Sequence, residues 1–208
     1  MDASSSDREV FAAWQDGDRR AGQILIERHY DSILRFFQSK AGAAADDLVQ
    51  KTFLGCTEAR ERFRGASSFR TFLFAIARNV LFEHIRKRTK DRERSPDFTV
   101  STIRDLDPGV STHVHARAQS RLLVESLQRL PVAMQMAIEL HYWEGFSVQE
   151  IAEIAEVPPG TIKSRLYRGR ELVRQIMERL PANSGEHESV RVLLDDWARA
   201  VRDQVEEP

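Results

Sequence analysis

The chain has 208 residues, 41% of them hydrophobic, which is enough for one large or two small cores, and it has no run of about 18 apolar residues that could span a bilayer. A single cysteine, Cys56, excludes an internal disulfide and, with no histidine nearby, a structural zinc site. The formal net charge of -1 conceals a basic middle and an acidic tail: between Arg60 and Arg94 eleven Arg and Lys face four Asp and Glu, a net +7, and from Glu186 to Pro208 three Arg meet seven acids, a net -4.

The polar start, Met1 to Asp7, offers no signal peptide, so a cytoplasmic protein without membrane insertion is expected. Helical periodicity begins in Arg8 to Asp16 and Arg20 to Phe37, the latter carrying Ile24, Leu25, His29, Ile33, Leu34 and Phe37 at helical spacing. A loop around Gly42 leads to a third helix, DDLVQKTFLGCTEAR. Leu48, Phe53 and Leu54 are its apolar residues, Asp47, Gln50 and Lys51 can face outward, and Asp46 and Asp47 suit its N-terminus as caps. The basic loop Arg60 to Ser68, with Phe63 and Gly65, then feeds one long helix over Ser67 to Arg88, whose start Ser67 and Ser68 can cap.

Wound at about 100° per residue, this helix places Phe69, Leu73, Ile76, Ala77, Val80, Leu81 and Ile85 on one half and Thr71, Arg78, Asn79 and Arg86 on the other. Phe72 and Phe82 lie among the polar set. Arg holds phosphates, Asn hydrogen-bonds base edges and bare aromatic rings stack on unpaired bases, so the mixture suits nucleic acid. The alternative is a core helix whose aromatics all meet neighbouring helices.

From Asp91 to about Ala116 the pattern fails, and Pro96, Pro108 and Gly109 mark a flexible linker, bounded at 93–116. Phe98 to Ile103 could be a short strand but has nothing to pair with. His113 and His115 are two ligands without a third, a poor metal site, and no cofactor is expected. Periodicity returns through Leu122, Leu123, Leu127 and Leu130, stops at Pro131 and resumes through Met134, Ile138 and Tyr142. In FSVQEIAEIAEVPPGTIKSRLYRGRELVRQIM, Ser147 and Glu150 make a capping box, Ala155 to Pro158 a tight turn, and Pro159 opens a second helix. This is a helix-turn-helix pattern. Its second helix turns Ile162, Leu166, Gly169, Val173 and Ile176 inward and Lys163, Ser164, Tyr167, Arg168 and Glu171 outward, a face fit for a major groove. The predicted fold is all-α, with two small helical domains (8–92 and 117–180) joined by the linker, and an amphipathic extension (181–208) through Val190, Leu194 and Trp197.

Together, DDLVQKTFL, RFRGASSF, RTFLFAIARNVLFEHIRKR and LQRLP followed by EGFSVQEIAEIAEVPPGTIKSRLYRGRELVR resemble the second and fourth conserved regions of bacterial sigma factors of the extracytoplasmic-function class, over roughly Arg20 to Arg179. The resemblance implies a transcription initiation factor, not an enzyme, that binds core RNA polymerase and promoter DNA and in some cases an anti-sigma factor. It implies that Asp47, Leu48, Gln50 and Phe53 lie on the surface gripping the polymerase clamp helices. Arg62, Phe63, Arg64, Ser67 and Ser68 would hold a base flipped from the downstream promoter element, which Arg78, Asn79 and Arg86 would also touch. Thr161, Lys163, Ser164, Tyr167 and Arg168 would read the upstream element. Departures from the family pattern are Phe72 for Trp, Glu83 for Asp, Gln135 for Arg, and Glu156 at a turn position where Gly is common and positive φ costs a residue with Cβ about 1 kcal/mol. Two rivals remain: a stand-alone regulator using the helix-turn-helix, which leaves the central helix unexplained, and a nucleic-acid enzyme, which needs clustered carboxylates for metal ions.

Overall fold

A computed structural model describes residues 5–63, 65, 67–88, 97–103, 123 and 125–179. The described residues are all-α. The first unit holds α1 (Asp7–Gln15), α2 (Arg19–Ala41), α3 (Ala45–Ala59) and α4 (Phe69–Arg88); the second holds α5 (Val132–Tyr142), α6 (Val148–Ala155) and α7 (Pro159–Arg179). Most of the expected linker, with His113 and His115, and the whole extension with Trp197 lie outside the described residues.

Local chemistry starts most of these helices. Ser6 and Glu9 form a capping box on α1, Asp18 accepts the Arg20 and Ala21 N–H groups at the head of α2, and Ser68 Oγ accepts the Thr71 N–H at 3.0 Å on α4. The expectation that Asp46 and Asp47 cap α3 is corrected. A 3-10 turn, Gly42–Ala44, runs directly into the helix, and the two acids sit inside its first turn, where they act on the helix dipole as charges and Asp47 pairs with Lys51.

The segment read as a possible strand is a turn at 98–100 with one isolated bridge, Thr102 to Pro131. It does a different job. No side chain caps α5, so its orphan Val132 and Ala133 N–H groups donate to Ser101 O (3.0 Å) and Phe98 O (2.9 Å).

Apolar faces fill the first unit with Leu25, Ile33, Phe37, Leu48, Leu73 and Leu81 and the second with Leu140, Ile151, Ile154, Ile162 and Val173, all at most 1% exposed. In the second unit α7 lies so close to α5 that a Cβ on Gly169 would come within 2.8 Å of Ile138, and the glycine makes that approach possible. Thr71, expected on the outward half of α4, is 2% exposed. The cause is that α4 has neighbours on two sides, because it packs on α3 within its own unit and on α6 of the other.

That second contact belongs to a buried seam between the units. The Lys40 ammonium of α2 donates to Phe36 O (2.8 Å) and Ser39 Oγ (3.0 Å) and pairs with Glu139 of α5, itself held by Gln135 Nε2 (2.8 Å). All three ammonium hydrogens are thereby used, which is what a buried charge requires. Burial still holds the Lys40 pKa below its ordinary value, with Glu139 opposing. Beside this pair Glu144 receives Arg70 (2.7 Å) and Arg35 (3.4 Å), and Phe74 meets the edge of Phe146 at 5.0 Å.

Candidate nucleic-acid interface

Two surfaces carry the expected chemistry, one on each unit. On α7 the buried Ile162, Leu166 and Val173 fix the helix roll, leaving Lys163, Ser164, Tyr167 and Arg168 exposed and Thr161 half-buried at the helix start. Tyr167 is 69% exposed, its ring standing on the same face as Lys163 and Arg168. Ser164 Oγ donates back to Gly160 O at 3.0 Å, so its hydrogen is already engaged locally and its lone pairs face out. The capping box of Ser147 and Glu150 starts α6 as expected, and Glu156 ends it in the left-handed region, φ 54° and ψ 46°, which brings Val157 N–H to Ala152 O (3.1 Å) and re-aims the chain into α7.

On the first unit Arg62 and Ser68 are exposed and Phe63 and Ser67 half-buried, while Arg64 lies outside the described residues. Of these, Phe63, Ser67 and Ser68 border a cavity of about 450 Å³ between α1 and the loop, lined also by Arg8, Gln15 and Arg70. Its volume falls within the range of small-ligand pockets. On α4, Asn79 and Arg86 are exposed.

Arg78 is placed otherwise. Its side chain is 15% exposed, forms an ion pair with Glu156 of the second unit at 2.9 Å and lies over the Phe82 ring. The two aromatics read as stacking surfaces for bases already have protein partners. Phe72 meets the Phe63 ring at 4.5 Å, and Phe82 is stacked on Phe98 at 4.0 Å with the planes 8° apart. A further cavity of about 390 Å³ beside Phe72 is walled in part by Glu153 of α6. The expectation of bare rings on a solvated face is therefore corrected for this arrangement: the chain's own rings and acids cover them.

The expected polymerase-binding set divides. Asp47 and Gln50 are exposed, but Leu48 is 1% and Phe53 8% exposed, so both side chains belong to the core rather than to a contact surface. The exposed apolar residue on that helix is Leu54, at 59%, flanked by Gln50 and Lys51. Other chemistry is sparse. Burial pushes the Cys56 thiol up to about 12, far from the reactive thiolate range, and among the described residues no group of three His, Cys, Asp or Glu could hold a metal ion. No described helix is long and apolar enough to cross a membrane.

Comparison with known proteins matches residues 25–91 to the model of sigma-70 region 2 and residues 120–173 to that of sigma-70 region 4. The chain is 30% identical over 195 residues to the RNA polymerase sigma-H factor of Pseudomonas aeruginosa, covering 86% of this chain and 98% of that protein. It is 28% identical over 184 residues to the ECF RNA polymerase sigma-E factor of Haemophilus influenzae, covering 84% and 97%. Its fold is similar to that of the sigma factor RpoE solved with the anti-sigma factor NepR from Bartonella quintana, with a TM-score of 0.61 at 23% identity over 76% of this chain and 96% of that one. The same score and identity relate it to CnrH, solved with the cytosolic domain of CnrY, over 85% and 98%.

Proposed function

The chain belongs to the extracytoplasmic-function class of the sigma-70 family, transcription initiation factors that bring core RNA polymerase to promoters, and from that premise we propose how its residues divide the work. Lys163, Tyr167 and Arg168, with Thr161 and Ser164, read the upstream promoter element as duplex. Arg62, Phe63, Arg64, Ser67 and Ser68 capture a base extruded from the downstream element, and Asn79, Arg78 and Arg86 hold the separated strand. The exposed face of Asp47, Gln50, Lys51 and Leu54 meets the polymerase clamp. The observation that carries this division is the pairing of an exposed polar face on α7 in one unit with, in the other, a cavity of about 450 Å³ at the Phe63–Ser68 loop and the exposed Asn79 and Arg86 of α4.

The chemistry is that of capture. Unpairing a base costs a few kcal/mol, and a pocket that takes the extruded base, together with basic groups on the strand, offsets that cost. For Arg78 to reach a phosphate its ion pair with Glu156 has to break, so the engaged form has α6 drawn away from α4. An anti-sigma partner, as in the complexes of the structural relatives, would bind this chain by holding its units and blocking the polymerase face.

The test is reconstitution. Core polymerase with this chain should initiate from a selected promoter and lose start-site choice when Arg168 and Lys163 are both alanine. A chain that leaves core polymerase unchanged and represses by itself would instead be the stand-alone regulator.

A further inference from the structure

We propose that Gln15, the last residue of α1, is the positioning residue of the base-capturing loop; the assignment rests on the reading of that loop given above. Its Nε2 donates both hydrogens to backbone carbonyls far along the chain, Arg60 O at 2.9 Å and Phe63 O at 3.0 Å. These two carbonyls bracket the 3-10 turn Arg60–Arg62, and Phe63, with φ -73° and ψ 113°, is where the chain leaves helix for loop. The far end of the loop is fixed by Ser68 capping α4. Between the two anchors Gly65 sits at φ +71°, a conformation glycine adopts without the cost a Cβ would bring.

The cavity lies on this frame. Arg8 and Gln15 belong to its α1 wall and Phe63, Ser67 and Arg70 to its opposite wall, so whatever ties α1 to the loop sets its width. The edge-to-face contact of Phe11 and Phe63, at 5.1 Å, also joins the walls, but ring contacts tolerate sliding. Two hydrogen bonds from one planar amide are directional and fix distance and angle together. Gln15 is exposed, so its removal deletes no core packing. Fold and pocket geometry are thus separable at this position.

The test uses the full chain with core polymerase on a promoter the holoenzyme opens, with each non-template position of the downstream element made abasic in turn. For the unmodified chain, the abasic site at the captured position should lower the opened fraction on the order of tenfold, the contribution of one stacked base. Gln15→Ala should open the intact template no better than that, and the abasic site should then add little further loss. Gln15→Glu keeps the shape but has no hydrogen to donate and sets a carboxylate against two carbonyls, so it should do no better than alanine. Both variants should keep the thermal midpoint and the closed-complex gel-shift. If Gln15→Ala shows the same tenfold abasic penalty as the unmodified chain, Gln15 does not position the pocket and the assignment fails. Should no abasic site cost the unmodified chain anything, base capture itself is wrong and the assignment falls with it.

Discussion

The open face of α7 and the covered face of α4 differ in what they must meet. A duplex presents its groove ready-made, so Lys163, Tyr167 and Arg168 can stand in solvent with their roll set by the core beneath. Single strands exist only after unpairing, and the groups that would hold them, Arg78 and the rings of Phe72 and Phe82, are engaged by Glu156, Phe63 and Phe98 of the same chain. On the proposed division of labour these are substitute partners of like chemistry, an acid for a phosphate and a ring for a base. The seam holds the Arg78 part of this arrangement, while Phe63 and Phe72 meet within one unit.

The largest expected effect comes from breaking that seam at its buried charge. Glu139→Ala strands the Lys40 ammonium, and a charge left alone at such a site costs about 3 to 5 kcal/mol while the units stay together. Either the denaturation midpoint falls accordingly or the units separate to hydrate Lys40 and the scattering radius grows. A variant unchanged in both would remove the seam from the comparison.

On the open face, Arg168→Ala should weaken holoenzyme binding to closed promoter by roughly 1 to 3 kcal/mol, read by gel-shift at fixed salt. A similar loss on non-promoter duplex would mean that Arg168 touches phosphates alone. On the covered face, Phe98→Ala removes a stacked ring and should cost about 0.5 to 1.5 kcal/mol of stability while baring Phe82. Single-stranded DNA should then bind the free chain more tightly, a gain that fluorescence anisotropy would detect and that a Phe82→Ala background should erase.

The smallest expected effect is a pH dependence at the contact between α1 and α2. Burial lowers the His29 pKa below its usual 6.5, with Asp7 opposing through a 2.7 Å contact. The unfolded chain therefore takes up the proton first. Stability contributed by this α1–α2 clasp is present above pH about 6.5 and declines as pH falls below it. His29→Gln should flatten that decline in thermal midpoint; an unchanged slope would assign it elsewhere.

Much of this was legible in the residues. Capping signals such as Ser147 with Glu150, and apolar spacing such as Ile162, Leu166 and Val173, specify a helix and its roll locally, which is why the outward set of α7 stands where it was expected. The positive φ of Glu156 follows the resemblance, which puts it at a turn position where the family often has Gly. Helical winding failed where a helix has two neighbours: Thr71 was assigned outward, because a periodic pattern records how much of a helix is apolar but not which partners approach it, whereas Leu48 and Phe53, read as apolar from the residues, were put on a contact surface only by the family resemblance. The partnership of Lys40 and Glu139 across the seam leaves no local signal in the residues around either. Gln15 likewise has no pattern pointing to the carbonyls of Arg60 and Phe63. Phe98 to Ile103, which could have been a short strand but had nothing to pair with, turns instead, and its backbone satisfies another helix's N–H groups.

The most direct test of the division between duplex reading and strand capture is permanganate reactivity of promoter thymines with Asn79→Ala holoenzyme, on intact duplex and on a template carrying a pre-melted bubble. Asn79 is exposed on the face assigned to separated strands. The variant should form closed complexes near the normal level, open intact duplex poorly and recover most of its reactivity on the bubble, because the unpairing cost has already been met. Loss of closed-complex binding, or a defect equally deep on the bubble, would contradict it.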